Sequence, residues 1–425
     1  MNIADLYQVF LQYPSVETDT RKLKKGDIFF ALKGPNFNGN HYAQQALNEG
    51  ASYCICDENP GFESEQIIMV EDCLNTLQML AKHHRQQFNI PFIAITGSNG
   101  KTTTKELVSA VLASTYKTYT TEGNLNNHIG VPLTLLRIKK DAEIAVIEMG
   151  ANHLKEIKSY CSYTLPTHGI ITNCGKAHLE GFGGEEAVKK AKGELFDFLK
   201  NNYGTAFINT EYDYLIEMGK GIPTIIPFGE RCGDLTGVIT HDDTYLEVSI
   251  TKGALLPSIK TQLVGGYNLP NILTAVCVGK TFNVADEKIK TALENYQPSN
   301  SRSQLLYKNS NKIILDAYNA NPTSMKAAIE NLSHMEGAKK VLILGGMMEL
   351  GQDSLKEHQN IVDLISSNVW HRVVLVGKDY INLPEGYIHF TQSSEAKNWF
   401  NQQNFEDTLV LIKGSRSMQM EKVIE

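Results

Sequence analysis

The stretch Ile93–Glu106, IAITGSNGKTTTKE, joins an apolar run to Lys-Thr through two glycines. This is the composition of a phosphate-binding loop. Glycines let backbone N–H groups face phosphate oxygens, and a helix starting at the loop adds partial positive charge. Lys101 would reach the terminal phosphates, and the Thr102 hydroxyl would ligate Mg²⁺. The spacing departs from the common form G-x-x-x-x-G-K-[ST]. Counting back from Gly100, the first glycine falls at position 95, which is Ile95; the available glycine is Gly97. The plainer alternative is a glycine turn capped by threonines. The order strand, loop, Lys-Thr and helix favours the phosphate loop.

Other candidates lie where strands should end. Glu148 closes the apolar run Ile144–Ile147, and a carboxylate beyond a parallel strand can hold Mg²⁺ directly or through water. His178 follows the run Ile170–Asn173 in CGKAHLEGFGG, where an imidazole can ligate a divalent cation. From local sequence alone, a lone loop histidine reads first as a hydrogen-bonding residue. Lys192, in KKAKGELFDFL, reads first as a solvated lysine on a charged helix. Gly193 beside it is unusual inside a helix, where it costs ~1 kcal/mol against alanine, and hints at close packing. In ILDAYNANPTSMKAAIENL, Pro322 suits a first helical turn with Asn321 as its cap. Asp316 and Asn319 then sit at a strand C-terminus, where a sheet binds its ligand.

These residues need a scaffold, and the apolar patterning predicts one. The chain has 425 residues, which suggests about three domains. The first, 1–88, holds a strand near Asp27–Leu32 and helices near His41–Glu49 and Cys73–Phe88. The second, 89–298, alternates strands (Phe92–Ile95, Ile144–Ile147, Gly169–Thr172) with helices, one of them over Lys105–Leu112. The third, 299–425, repeats the alternation with strands near Lys312–Leu315, Val341–Leu344, Arg372–Val376 and Thr408–Ile412. Pro298-Ser299-Asn300-Ser301 reads as the linker. Such alternation means an α/β fold with mostly parallel sheets.

Composition narrows the function classes. A net charge of −7 argues against nucleic acid as a main partner. Seven scattered cysteines without a CxxC pair read as reduced thiols, with no disulfide framework or zinc site. No apolar run approaches membrane-spanning length, and MNIADLYQVFLQYPSV lacks a basic stretch followed by an apolar core. A cytoplasmic enzyme is expected.

The sequence resembles the Mur ligases, the ATP-dependent amide-forming enzymes of cell-wall precursor synthesis. TGSNGKTTTKE, EGNLNNHIGVPLTLL, AVIEMGANHLKEI, NCGKAHLEGFGG, AKGELF, DAYNANPTSMKAAI and the ELG of GGMMELG carry the likeness. The N-terminal region matches more weakly, through TDTRKLKKGDIFFALKG and NGNHYAQQALNEGA. The shortened loop TGxNGKT is this family's own form.

The resemblance implies an N-terminal UDP-binding domain, a central ATPase-type domain and a C-terminal Rossmann-like domain. It implies a monomer that joins D-alanyl-D-alanine to UDP-N-acetylmuramoyl-tripeptide through an acyl phosphate. Gly97, Ser98, Asn99, Gly100, Lys101, Thr102 and Thr103 would hold the ATP phosphates. Asn268 and Asn271 would contact the nucleotide, and Arg302, Asp316, Tyr318, Asn319 and Asn321 would reach ATP from the C-terminal domain. Thr102 and Glu148 carry over to one Mg²⁺ and His178 to a second. Lys192 carries over to the family's carbamylated lysine, formed with CO₂, which reverses the reading from local chemistry. Asn124, Asn126 and Asn127 would line the reacting end. Thr18, Asp19, Thr20, Arg21, Asn38 and His41 would meet the UDP-bearing substrate, and Ser415 and Arg416 the dipeptide carboxylate.

Three positions depart from the family pattern. Ser98 stands where threonine is common, Tyr267-Asn268 stands for His-Asn, and Gly346 replaces the aspartate of GDMxELG. No role is assigned to that last stretch. The alternatives are a tripeptide-forming Mur ligase, a folylpolyglutamate synthase and a non-catalytic nucleotide-binding module. The first often carries a DNPR-like motif that is missing here. The N-terminal UDP-type region speaks against the second. The set Glu148, His178 and Lys192 disfavours the third.

Overall fold

The computed structural model describes residues 1–299 and 301–425. Asn300, inside the predicted linker, lies outside the described residues. Three main sheets follow one another along the chain. The first is parallel, in the order Val16–Glu17, Ile28–Phe30, Tyr53–Cys56, Ile67–Met69. The second has nine strands. Seven of them, from Thr118–Thr120 at one edge to Leu235–His241, run parallel, and two antiparallel strands extend the other edge. The third has six strands, parallel except for the edge strand Gln304–Lys308.

In the second sheet, Phe92–Thr96 lies between Ile144–Glu148 and His168–Ile171. The chain passes to one side of this strand and then to the other, so a crevice opens beyond its C-terminal end, where open α/β sheets bind ligands. Phe92–Ile95 is wholly buried, as a strand covered on both faces must be. The helix after the loop runs Lys101–Ala113, one turn longer at its start than its apolar periodicity predicts. Leu107, Val108, Val111 and Leu112 are all fully buried on one face of it. That face packs on the helix Leu269–Thr281, where Gly279 permits the approach: a Cβ there would stand 2.6 Å from Val111 Cγ1.

Element boundaries elsewhere shift by a few residues. The helix expected at His41–Glu49 is a 3₁₀ turn over Gly39–Tyr42 followed by Ala43–Asn48. Cys73–Arg85 forms the predicted helix and stops three residues before Phe88. Its N-cap is Asp72, whose side chain accepts a hydrogen bond from the Asn75 amide. All seven cysteines are free, and only Cys232 is exposed. Among the described residues no helix is long and apolar enough to cross a membrane.

The Cys73–Arg85 helix ties the first sheet to the second through one continuous apolar cluster. Its last residues reach across. The His84 ring takes the Tyr7 hydroxyl on Nδ1 at 3.0 Å and meets the Ile138 carbonyl through Nε2 at 2.8 Å. Arg85 donates to Thr164 O, Leu165 O and Phe88 O at 2.8–2.9 Å and lies 3.6 Å over the Phe92 ring. A cation there also complements the C-terminal end of the helix Glu156–Thr164. Arg85→Met keeps the apolar stem but strands these buried carbonyls. It should lower the unfolding free energy by about 3 kcal/mol, read in urea titrations.

Candidate active site

The phosphate loop explains its own spacing. Ile95 is a strand residue, fully buried and paired with Ile170 and Glu148, and the strand runs on to Thr96. The turn starts two residues later than in the common form, so glycine is needed at 97. Gly97 has φ +142°, and a Cβ there would lie 2.0 Å from Thr172 Oγ1. Gly100 has φ +79°, and its Cβ would lie 2.6 Å from Asn271 Oδ1. Asn173 braces the loop from the neighbouring strand end: its Oδ1 accepts from the Asn99 amide at 3.0 Å and its carbonyl from the Ser98 amide at 2.8 Å.

Lys101 Nζ folds over this loop, donating to Gly97 O at 2.7 Å and Ser98 O at 3.0 Å. Burial holds its pKa below the usual lysine range, with Glu148 pulling the other way. Glu148 is fully buried at the end of its strand. Its Oε1 accepts from Thr102 Oγ1 at 3.0 Å and from Asn126 Nδ2 at 2.7 Å, while its Oε2 is buried without a partner. A buried carboxylate oxygen left alone is costly, and a cation beside the Thr102 hydroxyl would satisfy it. The donor set therefore fits Mg²⁺ at this point. Among the described residues no three His, Cys, Asp or Glu side chains converge on a metal position. An ion here would complete its shell from phosphates and water, as Mg²⁺ commonly does.

His178 begins the short helix Leu179–Phe182 in a left-handed conformation, φ +54°. Its Nδ1 lies against the Glu349 carboxylate, close enough to pair but without hydrogen-bond alignment. That contact holds the Glu349 pKa below the usual carboxylate range. Lys192 corrects the reading made from local chemistry alone. It lies on the helix Glu185–Asn201 but is only 1% exposed, with Nζ donating to Ala151 O at 3.0 Å. Burial, helped by the nearby Lys101 charge, pushes its pKa down to about 7. Gly193 does not mark close packing: a Cβ there would meet only Met218 Sδ, at 3.8 Å.

The third sheet closes the cleft from above. Asp316 accepts from the Ser303 amide at 3.1 Å and from Lys413 Nζ at 2.5 Å, across paired strand ends. The Tyr318 ring carries the Arg302 guanidinium 3.5 Å from its centre and the Arg416 guanidinium at 5.7 Å. Asn321 caps the helix Pro322–His334 in a capping box with Ser324, as the sequence predicts. Its Nδ2 donates to Asn99 Oδ1 at 2.8 Å, joining the C-terminal unit to the phosphate loop. Asn268 and Asn271 are buried and bonded to each other, Nδ2 of Asn271 to Oδ1 of Asn268 at 2.9 Å.

These groups share a cleft of ≈ 1070 Å³. Ser98 to Thr103, Asn124, Asn126, Asn127, Glu148, His178, Asn268, Asn271, Arg302, Asp316, Tyr318, Asn319 and Asn321 all line it. Ser415 and Arg416 line an adjoining hollow with Thr102, Asn124 and His178. Gly97 and Lys192 are not in that lining; Gly97 adjoins Ser98, and Lys192 Nζ donates to Ala151 O, both lining residues. Asn127 is partly committed elsewhere, its Oδ1 accepting from the Gly130 amide at 2.8 Å.

The N-terminal candidates are not brought to the cleft. Asp19 binds Arg21 through its amide at 3.1 Å and Nε at 2.8 Å. Asn38 accepts from the Asn40 amide at 3.0 Å, and Thr18, Thr20 and His41 sit in the same two turns. Sequence reasoning missed Glu349, Lys413 and Asn173. A lysine and an aspartate ending apolar runs signalled the Lys413–Asp316 pair.

Cleft and fold together describe a phosphate-loop ligase assembled from three units, and the chain belongs to the Mur ligase family. The family's catalytic domain matches residues 12–85, its middle domain 95–279 and its glutamate ligase domain 301–416. The UDP-N-acetylmuramoyl-tripeptide–D-alanyl-D-alanine ligase of Bacillus subtilis (strain 168) is 34% identical, covering 100% of this chain and 97% of its own length. The crystal structure of MurF from Acinetobacter baumannii superposes with a TM-score of 0.88 at 30% identity, over 100% of this chain and 97% of that one. MurF from Thermotoga maritima, solved in complex with ADP, gives 0.87 at 27% identity, over 97% of both chains.

Proposed function

We propose that this chain joins D-alanyl-D-alanine to UDP-N-acetylmuramoyl-tripeptide with ATP, giving the UDP-muramoyl-pentapeptide of peptidoglycan synthesis in the cytoplasm. The observation that carries the reading is the meeting of the central and C-terminal sheets around one phosphate loop, in a chain matched over its whole length by ligases of that name. We divide the work among units 1–88, 89–298 and 299–425, the first holding the UDP moiety through Thr18, Asp19, Thr20, Arg21, Asn38 and His41.

The tripeptide carboxylate attacks the γ-phosphorus and ADP leaves. The dipeptide amine then attacks the acyl carbon, a tetrahedral adduct collapses, and amide, phosphate and a proton are released. A carboxylate is a poor acyl donor, and phosphorylation supplies its leaving group. Both reactants in the first step are anions, so positive charge must be preorganised between them. Lys101 swings from its loop carbonyls to the terminal phosphates. Thr102 and Glu148 would hold one Mg²⁺ and His178 a second, and such ions would supply positive charge to offset the phosphates. Asn124 and Asn126 present amides to the reacting end. Lys192, whose lowered pKa leaves about half its amine neutral at pH 7, would take up CO₂ with loss of a proton and hold an anionic carbamate in support of the cation site.

The test is product formation with a substrate dependence. Phosphate should appear only when both UDP-tripeptide and D-alanyl-D-alanine are present, in step with the pentapeptide mass. Turnover independent of the dipeptide would support a nucleotide-binding module instead.

A further inference from the structure

We propose that Glu349 is a positioning residue for His178, supplied by the C-terminal unit when the two sheets face each other. The two residues come from opposite sides of the cleft. His178 lies in the loop after the central strand His168–Ile171, and Glu349 in the loop after the C-terminal strand Lys339–Gly345. Their side chains pair through His178 Nδ1. The carboxylate stands where an Nδ1–H turned onto it would fix the ring and its neutral tautomer, which would leave the lone pair on Nε2 for a cation.

The backbone shows that this contact is held in place. His178 and Glu349 both adopt left-handed conformations, φ +54° and +62°. Such a conformation costs a non-glycine residue on the order of 1–3 kcal/mol and persists only where surrounding contacts enforce it. Those contacts are present. The Glu180 amide donates to the Glu349 carbonyl at 3.1 Å. Gly351, φ +56°, lies so close that a Cβ there would meet Glu180 Cβ at 3.4 Å. The strained Glu349 backbone is therefore seated by the loop that carries His178. Both also line the cleft beside Thr102.

The consequence is a link between closure and cation affinity. With the C-terminal unit swung away, His178 loses its orienting carboxylate and becomes a free loop histidine. With the unit closed, the imidazole is set. The inference rests on His178 as the ligand of the second cation.

The test is Mn²⁺ binding to the full chain with ADP, followed by electron paramagnetic resonance of the free ion. Wild type should bind two Mn²⁺, and His178→Ala should lose the weaker site. Glu349→Ala should weaken that site about 10–100-fold, the range for removing an orienting partner, and leave the tighter site within about twofold. Glu349→Gln keeps volume and a hydrogen-bond acceptor and should fall between. In the double variant, Glu349→Ala should add nothing to the loss from His178→Ala. Unchanged Mn²⁺ affinities in Glu349→Ala, or equal weakening at both sites, would overturn the proposal. A wild type with a single site, or a second site that survives His178→Ala, would instead remove the metal role of His178 on which it stands.

Discussion

Lys101→Ala should lower kcat by about a thousandfold or more while leaving the fold intact, the scale seen when one donor to developing charge is removed. The reason lies in what Lys101 does without substrate. Among the described residues its amine hydrogen-bonds only to Gly97 O and Ser98 O, and burial works against its charged form. Stability therefore gains little from the amine. Catalysis gains much, because Lys101 is the lysine that the loop 97–103 places beside the phosphate site. Lys101→Arg should rescue poorly, since a planar guanidinium cannot occupy the space of a compact ammonium inside this turn. Steady-state kinetics and thermal melts of the same preparations check both halves. Near-normal turnover in Lys101→Ala would remove the phosphate-loop assignment.

Lys192→Ala should likewise abolish ligation, and short carboxylic acids such as acetate should restore part of it by standing in for the carbamate. Carbamate formation needs a neutral amine, and the Lys192 pKa of about 7 supplies one at neutral pH. Below that value each pH unit removes about tenfold of the neutral amine, so activity should fall steeply on the acid side and in CO₂-depleted buffer. The stability sign follows from the same shift. The folded pKa, about 7, lies below the unfolded value of 10.5. Between these values the unfolded chain binds a proton that the folded chain does not, so this residue makes stability rise with pH through that window. Lys192→Met should flatten that slope and melt no lower than wild type near neutral pH. Full activity of Lys192→Ala without added acid would argue against the carbamate.

Much of the site was legible because its residues sit at strand ends. The apolar run before Gly97, Glu148 closing its strand and Asn321 capping before Pro322 are local patterns, and the structure keeps them. Lys192 was legible only with the right period. Val188, Lys192, Leu195 and Leu199 fall on one helical stripe and are all buried, yet the charged neighbours suggest a solvated face. Gly193 misled, because no neighbour crowds it. Glu349 and Arg85 could not be read. Their partners lie 171 and 79–80 positions away in the sequence, and their contacts exist only once separate units are docked. Local periodicity carries no information about that docking.

The central claim is that the γ-phosphate is delivered to a peptide carboxylate and not to water. It is tested most directly with UDP-tripeptide labelled with ¹⁸O in its terminal carboxylate, turned over with ATP and D-alanyl-D-alanine. Attack by the carboxylate leaves its bridging oxygen on the phosphate when the amide forms. Mass spectrometry should therefore find one ¹⁸O in each released phosphate and one retained in the pentapeptide carbonyl. Phosphate free of label, with both labelled oxygens still on an unreacted tripeptide, would contradict the account.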